Sequence, residues 1–252
     1  MTQSSSPNRG AYDPDYYARM YRTNRFTCPA RKWAERERNL LDLVRPHPEM
    51  SLLDLGCARG DATLLFAPLV GRVIGLDGEP LAIDLAWRRA RDAGMQNVEF
   101  LLADARSFPD IPDASIDCAG AFDFLEHVED GVVAGMLSEV RRVLAPGGRF
   151  VAYTPNREHW VEALKARNLI LRQQPDHIAV RTPGQIRRLL IAGGFRVTRL
   201  FYPAAPYPLY RPIDVALKAL PVIGIPFRFR ICLEATPRGR GLRPEPGAAA
   251  GI

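Results

Sequence analysis

The sequence predicts an α/β fold in which a mostly parallel sheet is covered by helices on both faces. Three observations carry that expectation. From Ser51 onward, short apolar runs alternate with segments of helical period. A glycine-containing turn joins the first run to the first helix that follows it, Gly56 to Gly60. Acids close successive runs, at Asp77 and just after the third run at Asp104.

The elements follow in order. Arg31 to Arg45 reads as a helix, with Trp33, Leu40, Leu41 and Val44 on one face and Pro46 and Pro48 as its stop. Ser51–Leu55 is a strand and Gly60–Leu69 a helix; Arg72–Asp77 is a strand and Pro80–Ala93 a helix closed by Gly94. Val98–Ala103 and Ser115–Phe122 are the third and fourth strands. Gly131–Leu144 is a helix stopped by Pro146 and Gly147, before a fifth strand at Arg149–Thr154. Thr182 and Pro183 are a good N-cap and first-turn pair, and Gly193-Gly194 a good stop, so a helix lies between them. Phe195–Tyr202 and Arg228–Ala235 complete seven strands. Asn156–Arg181 and Pro203–Phe227 fall outside the alternation and read as insertions at the sheet edge, where a ligand-binding lid would be built.

Residues 11–236 read as one domain between polar ends, 1–10 and 237–252, that read as disordered. No apolar run approaches the roughly 20 residues of a membrane span. Cys28, Cys57, Cys118 and Cys232 are scattered, with neither zinc spacing nor a disulfide framework, which points to a reducing cytoplasm. The net charge of +6 is carried almost wholly by arginine, since Lys32, Lys165 and Lys218 are the only lysines, and no dense basic block marks a nucleic-acid surface.

The densest motif is Leu52-Leu53-Asp54-Leu55-Gly56-Cys57-Ala58-Arg59-Gly60. Gly56 lets the chain bend, and Gly60 lets the helix start close to a ligand at the carboxyl end of the first strand. It is not the dinucleotide fingerprint, because Ala58 stands where G-x-G-x-x-G needs its second glycine. Asp77 ends Val73-Ile74-Gly75-Leu76-Asp77, where a carboxylate accepts hydrogen bonds from both hydroxyls of a ribose. Asp104 follows Leu101-Leu102-Ala103 and is placed to accept from an exocyclic amine.

These motifs resemble the class I S-adenosylmethionine (SAM) dependent methyltransferases, in particular the small-molecule branch similar to the UbiE/UbiG quinone-biosynthesis enzymes, over roughly Tyr16 to Ala235. The resemblance implies a Rossmann-like sheet of seven strands, the last antiparallel, and SAM as cofactor. It implies that Asp54, Gly56, Cys57, Ala58 and Gly60 surround the methionine end of SAM. Asp77 with Gly78 would hold the ribose, and Asp104 with Ala105 the adenine. The usual turn, D-x-G-C-G-x-G, is altered here by Ala58. Phe122 and Leu125 would line the donor pocket, and Tyr21, from the aromatic cluster Tyr12, Tyr16, Tyr17, Tyr21 and Phe26, would come from an N-terminal lid.

Methyl transfer is displacement at carbon with a leaving group already activated, so the acceptor needs a base only if it must lose a proton. His127, in Phe122-Asp123-Phe124-Leu125-Glu126-His127, and His177 are the candidates. No metal is assigned: Glu126, Glu129 and Asp130 suit a metal, and equally the start of a helix. The acceptor is expected to be a small molecule, methylated at a hydroxyl oxygen. Nitrogen or carbon of a lipophilic acceptor, and a SAM-binding protein without turnover, stay open. Asp123-Phe124-Leu125-Glu126 does not resemble the motif that cradles planar amines, which disfavours nucleic acid. The apolar stretch 203–227, edged by Arg211, Lys218 and Arg228, suits a membrane surface or a greasy acceptor. The oligomeric state is not legible.

Overall fold

The computed structural model describes residues 30–166, 176–204 and 211–239. Its centre is a seven-stranded sheet formed by β1 (Ser51–Leu55), β2 (Arg72–Asp77), β3 (Val98–Leu102), β4 (Ile116–Phe122), β5 (Leu144–Pro155), β6 (Phe195–Phe201) and β7 (Arg230–Pro237). The order across the sheet is β3-β2-β1-β4-β5-β7-β6. Only β7 runs antiparallel, paired with β5 on one side and β6 on the other. Chain order reverses between β1 and β4, so the carboxyl ends of these two strands open a crevice, the place where α/β sheets hold ligands.

The helices are α1 (Ala30–Val44), α2 (Asp61–Phe66), α3 (Pro80–Asp92), α4 (Asp130–Val143), α5 (Trp160–Ala166), α6 (Pro183–Ala192) and α7 (Arg211–Ala219). Strand alternation divides the core in two. Leu53, Leu55, Ile74, Leu76, Ala119 and Ala121 face α4 and α6, against Met136, Leu137, Val140, Ile186 and Leu190. Leu52, Val73 and Cys118 face the other way, against Leu40, Leu43 and Val44 of α1 and Phe66 of α2. Both faces are buried, which is why these strands read as continuous apolar runs.

Most predicted elements stand where the pattern puts them, and the differences have local causes. The helix expected over Gly60–Leu69 is α2 followed by a 3-10 turn at Ala67–Leu69, because Pro68 lacks the N–H an α-turn needs. Gly60 is its left-handed N-cap, with φ 80°. β5 begins at Leu144, not Arg149. Leu144 pairs with Ile116 before the register shifts, so Pro146-Gly147 stops the helix without stopping the strand. Thr182 closes a full capping box with Gln185. The ordered domain runs past its expected end at 236: Pro237 pairs with Phe195, and the Arg238 N–H donates to the Gly194 carbonyl at 2.8 Å. Cys57, Cys118 and Cys232 are buried, unpaired thiols. Among the described residues, no helix is long and apolar enough to cross a membrane.

Candidate active site

One half of the candidate site grows out of the turn after β1. Gly56 and Cys57 both donate their N–H to the Leu76 carbonyl, at 2.8 and 2.9 Å, and Gly60 donates to the Cys57 carbonyl at 2.8 Å. This pins the loop to the end of β2. Asp77 locks it from the same strand: Oδ2 accepts the Ala58 N–H at 2.8 Å and Oδ1 accepts the Glu79 N–H at 2.9 Å. Ala58 has φ 46°, a left-handed conformation that glycine adopts without strain, which accounts for the glycine usual at this point. Burial pushes the Asp77 carboxyl up, while the Glu79 and Ala58 amides pull it back.

Gly56 is required by what lies over it. At φ 68°, a Cβ there would come within 2.1 Å of Cδ2 of Phe124. Phe124 therefore lies flat on the turn, a contact the sequence reading missed. Asp54 lies beneath the turn with 1% exposure, accepting the Thr63 hydroxyl at 2.6 Å. Burial pushes its carboxyl up to about 7 against the pull of Thr63 and Arg36. Asp104 stands at the outer end, exposed and forked onto Arg106, with Arg106 Nη2 at 2.6 Å, and this pairing holds its carboxyl below the usual range. Beside the turn, a cleft of about 400 Å³ lies between Trp33 and Arg36 of α1, Arg59 and Asp61, Leu64 of α2 and Arg89 of α3.

The other half is built from residues far apart in the chain. Asp123, at φ 57°, accepts Arg36 Nε of α1 at 2.9 Å and Arg230 Nη1 of β7 at 2.6 Å. Burial works against its charge, but the two guanidiniums, Arg230 foremost, hold its carboxyl below the usual value. Glu126 is buried, accepts the Thr154 hydroxyl at 2.9 Å and lies 3.9 Å from Arg230. Burial, then the charge of Asp123, pushes it up to about 7. Arg181 fixes the segment carrying both residues. Buried, it donates to the carbonyls of Leu125 and Val128 and pairs with Asp130 at 2.7 Å.

His127 Nδ1 lies 2.9 Å from the Asp176 carbonyl oxygen. A carbonyl only accepts, so Nδ1 carries a proton, and in the neutral ring the lone pair then sits on Nε2. The His177 ring meets the His127 ring edge-on at 4.9 Å. Burial first, then neighbouring His127, pushes His177 down to about 4. One ligand atom each of Glu126, His127 and His177 lies within 4.8 Å of the others, a donor set able to hold a divalent cation. His177 Nδ1, Arg230 Nε and Glu162 Oε2 are buried here without a hydrogen-bond partner among the described residues.

The predicted residues thus divide. Gly56, Cys57, Ala58, Gly60, Asp77 and Gly78 gather at one end of the sheet; a Cβ on Gly78 would meet nothing closer than 3.7 Å. Ala105 packs against the core beside Asp104. Phe122 and Leu125 are core residues, Phe122 against Phe66 with ring centroids 5.6 Å apart and Leu125 against α4 and α6, so neither opens onto the turn; Phe124, between them, does. Of the acids weighed for a metal, only Glu126 joins the histidines, and Asp130 turns to Arg181. Tyr21 and the aromatic lid lie outside the described residues, as does Cys28.

Comparison with known proteins agrees with this geometry. Residues 52–148 match the family model described as a methyltransferase domain. A probable S-adenosylmethionine-dependent methyltransferase of Mycolicibacterium smegmatis is 34% identical over 146 residues, 58% of this chain and 52% of that protein. The ubiquinone/menaquinone biosynthesis C-methyltransferase UbiE of Hahella chejuensis is 36% identical over 105 residues, 40% of this chain and 41% of that one. The chain thus spans about half or less of the length of these relatives. The crystal structure of a SAM dependent methyltransferase from Aquifex aeolicus shares the fold, with a TM-score of 0.63 at 17% identity over 89% of this chain and 98% of that one. Strand order, family model and relatives converge: residues 52–148 match a methyltransferase domain, and the chain is similar to SAM-dependent methyltransferases in sequence and in fold.

Proposed function

We propose that this chain transfers the methyl group of SAM to a hydroxyl oxygen of a small-molecule acceptor. The observation that carries the donor half is the hydrogen bond from the Ala58 N–H to the Asp77 carboxylate, which makes the turn and the acid one preorganised piece. Asp77 would accept the ribose hydroxyls, the turn would surround the methionine end, and Phe124 would wall it. The fixed tautomer of His127 supports oxygen as the acceptor atom. An oxygen lone pair forms the new bond to the methyl carbon, the carbon–sulfur bond breaks, and its electron pair stays on sulfur. The hydroxyl proton passes to His127 Nε2.

A second reading has its own observation, the grouping of Glu126, His127 and His177. A divalent cation there would lower the pKa of a bound hydroxyl, and His127 would serve as ligand, not base. The relative named as a C-methyltransferase makes the acceptor atom a question for direct measurement.

The test is transfer of labelled methyl from SAM into a fractionated metabolite pool, with the product bond read by NMR. Methyl ether formation that survives chelation and falls about 10²–10⁴-fold in His127→Gln is expected. Loss on chelation with recovery on adding Mg²⁺ or Zn²⁺ selects the second reading. A carbon–methyl product removes oxygen, and a folded protein with no affinity for SAM or its demethylated product removes the whole proposal.

A further inference from the structure

Helix α7 is built inside out. A surface helix ordinarily buries its apolar stripe and exposes its charges. Here Asp214 is 3% exposed and the Lys218 side chain 9%, while Ile213 is 56% and Val215 52% exposed. The inward charges are satisfied: Lys218 Nζ lies 2.6 Å from Asp214 Oδ2 and donates to the Pro203 carbonyl at 2.6 Å. The outward side has no such cover among the described residues. It continues into the turn after the helix, where Val222 is 76% and Ile223 64% exposed.

That turn is tightly made. Gly224 is packed so closely that a Cβ would come within 2.4 Å of the Leu217 carbonyl oxygen. Val222 has φ 62°, a conformation a β-branched residue rarely adopts, and its apolar side chain stands exposed. Charge follows the same logic. Between residues 211 and 229 the only acid is Asp214, buried and neutralised, and the remaining charged residues, Arg211, Lys218 and Arg228, are cations. The chain as a whole carries +6.

We propose that this face, Ile213 and Val215 with Val222 and Ile223, lies in the headgroup region of an anionic bilayer, with Arg211 at the lipid phosphates. This face offers apolar side chains beside the exposed cation Arg211, the combination that an anionic lipid surface selects. Phe229, itself 40% exposed, immediately precedes Arg230, which holds Asp123. The inference does not rest on methyl transfer.

The test is flotation of the full chain with vesicles of phosphatidylcholine, alone or mixed with phosphatidylglycerol. Binding to the mixed vesicles only, weakened by salt, is expected. Joint replacement Val222→Asp and Ile223→Asp should weaken it about tenfold or more, and Arg211→Glu by a smaller factor. Thermal unfolding and SAM affinity in the same samples should stay unchanged, which separates failure of this proposal from failure of the proposed chemistry. Equal binding to both vesicle types, no binding to either, or full binding by the double variant overturns it. So does a dimer in light scattering that the double variant converts to monomer, because the face then meets a second copy of the chain.

Discussion

The two halves of the crevice are held together by different means. On the donor side, the contacts run within one strand–turn–helix unit and its neighbouring strand: Ala58 to Asp77 is 19 residues apart, Thr63 to Asp54 nine. Most of the fixing groups are backbone amides. On the acceptor side, Arg36 reaches Asp123 across 87 residues and Arg230 across 107, and the fixing groups are buried side-chain charges. The difference teaches where each half is vulnerable. Backbone pinning tolerates side-chain change except where a Cβ intrudes, whereas a buried charge cluster fails when one member is lost.

The largest effect is therefore expected at Arg230. Arg230→Met removes the strongest compensating charge on Asp123 and one of those on Glu126. Removing one partner of a buried ion pair costs about 3–5 kcal/mol, with Arg36 retained on Asp123 keeping the loss toward the lower end. The sign with pH follows from linkage. Glu126 already lies above its unfolded value of 4.5, at about 7, so the folded state holds more protons and stability falls as pH rises through that window. Without Arg230, Asp123 loses the main charge that holds it below its ordinary value, and Glu126 moves further up. The deficit of the variant in urea unfolding should therefore be larger at pH 8 than at pH 5; a deficit independent of pH would mean that lost packing, not charge, explains it.

On the donor side the corresponding weak point is Gly56. Gly56→Ala combines a left-handed φ of 68° with the clash on Phe124, while Gly94→Ala has nearly the same φ, 66°, with nothing within 4 Å. Strain alone costs about 1–2 kcal/mol. Gly94→Ala should show that loss and retain SAM affinity. Gly56→Ala should lose more stability and most of its affinity, read by denaturant unfolding and calorimetry. Equal losses at the two glycines would show that Phe124 swings aside freely and does not wall the turn.

The same contrast explains what was legible in the sequence. The sheet, its helices and the donor acids follow from local pattern, because each lies within one apolar run and the turn behind it. Gly56 and Gly60 announced a tight bend, but not that Phe124 covers it, since nothing local relates residues 56 and 124. Arg36, Arg181 and Arg230 were unmarked arginines in an arginine-rich chain; their roles come from the sheet order, which brings β7 beside β5 and α1 over β4. His127 was visible as part of a motif, and His177 only as a loop histidine, although the fold sets their rings edge to face. In 203–227 the apolar content was readable, but the inward turn of Asp214 and Lys218 was not, because helical period does not say which face meets the protein.

The smallest effect is expected at Asp104, and it is informative because the sequence ranks Asp104 and Asp77 alike. Asp77 is largely enclosed and its oxygens are aligned by two backbone amides, so a ribose would meet an acceptor already in place. A hydrogen bond to a charged group is worth about 1.5–3 kcal/mol, so Asp77→Asn should weaken SAM binding about tenfold or more. Asp104 is forked onto Arg106 through contacts of 2.6, 3.0 and 3.1 Å, in an exposed position. An adenine amine must share or displace that guanidinium, and an exposed pair of this kind contributes little because solvent screens it. Asp104→Asn should therefore cost only about two- to fivefold in affinity. If it instead matches the loss at Asp77, the ion pair with Arg106 must give way when the nucleoside enters, and the donor half is assembled by its ligand rather than preformed.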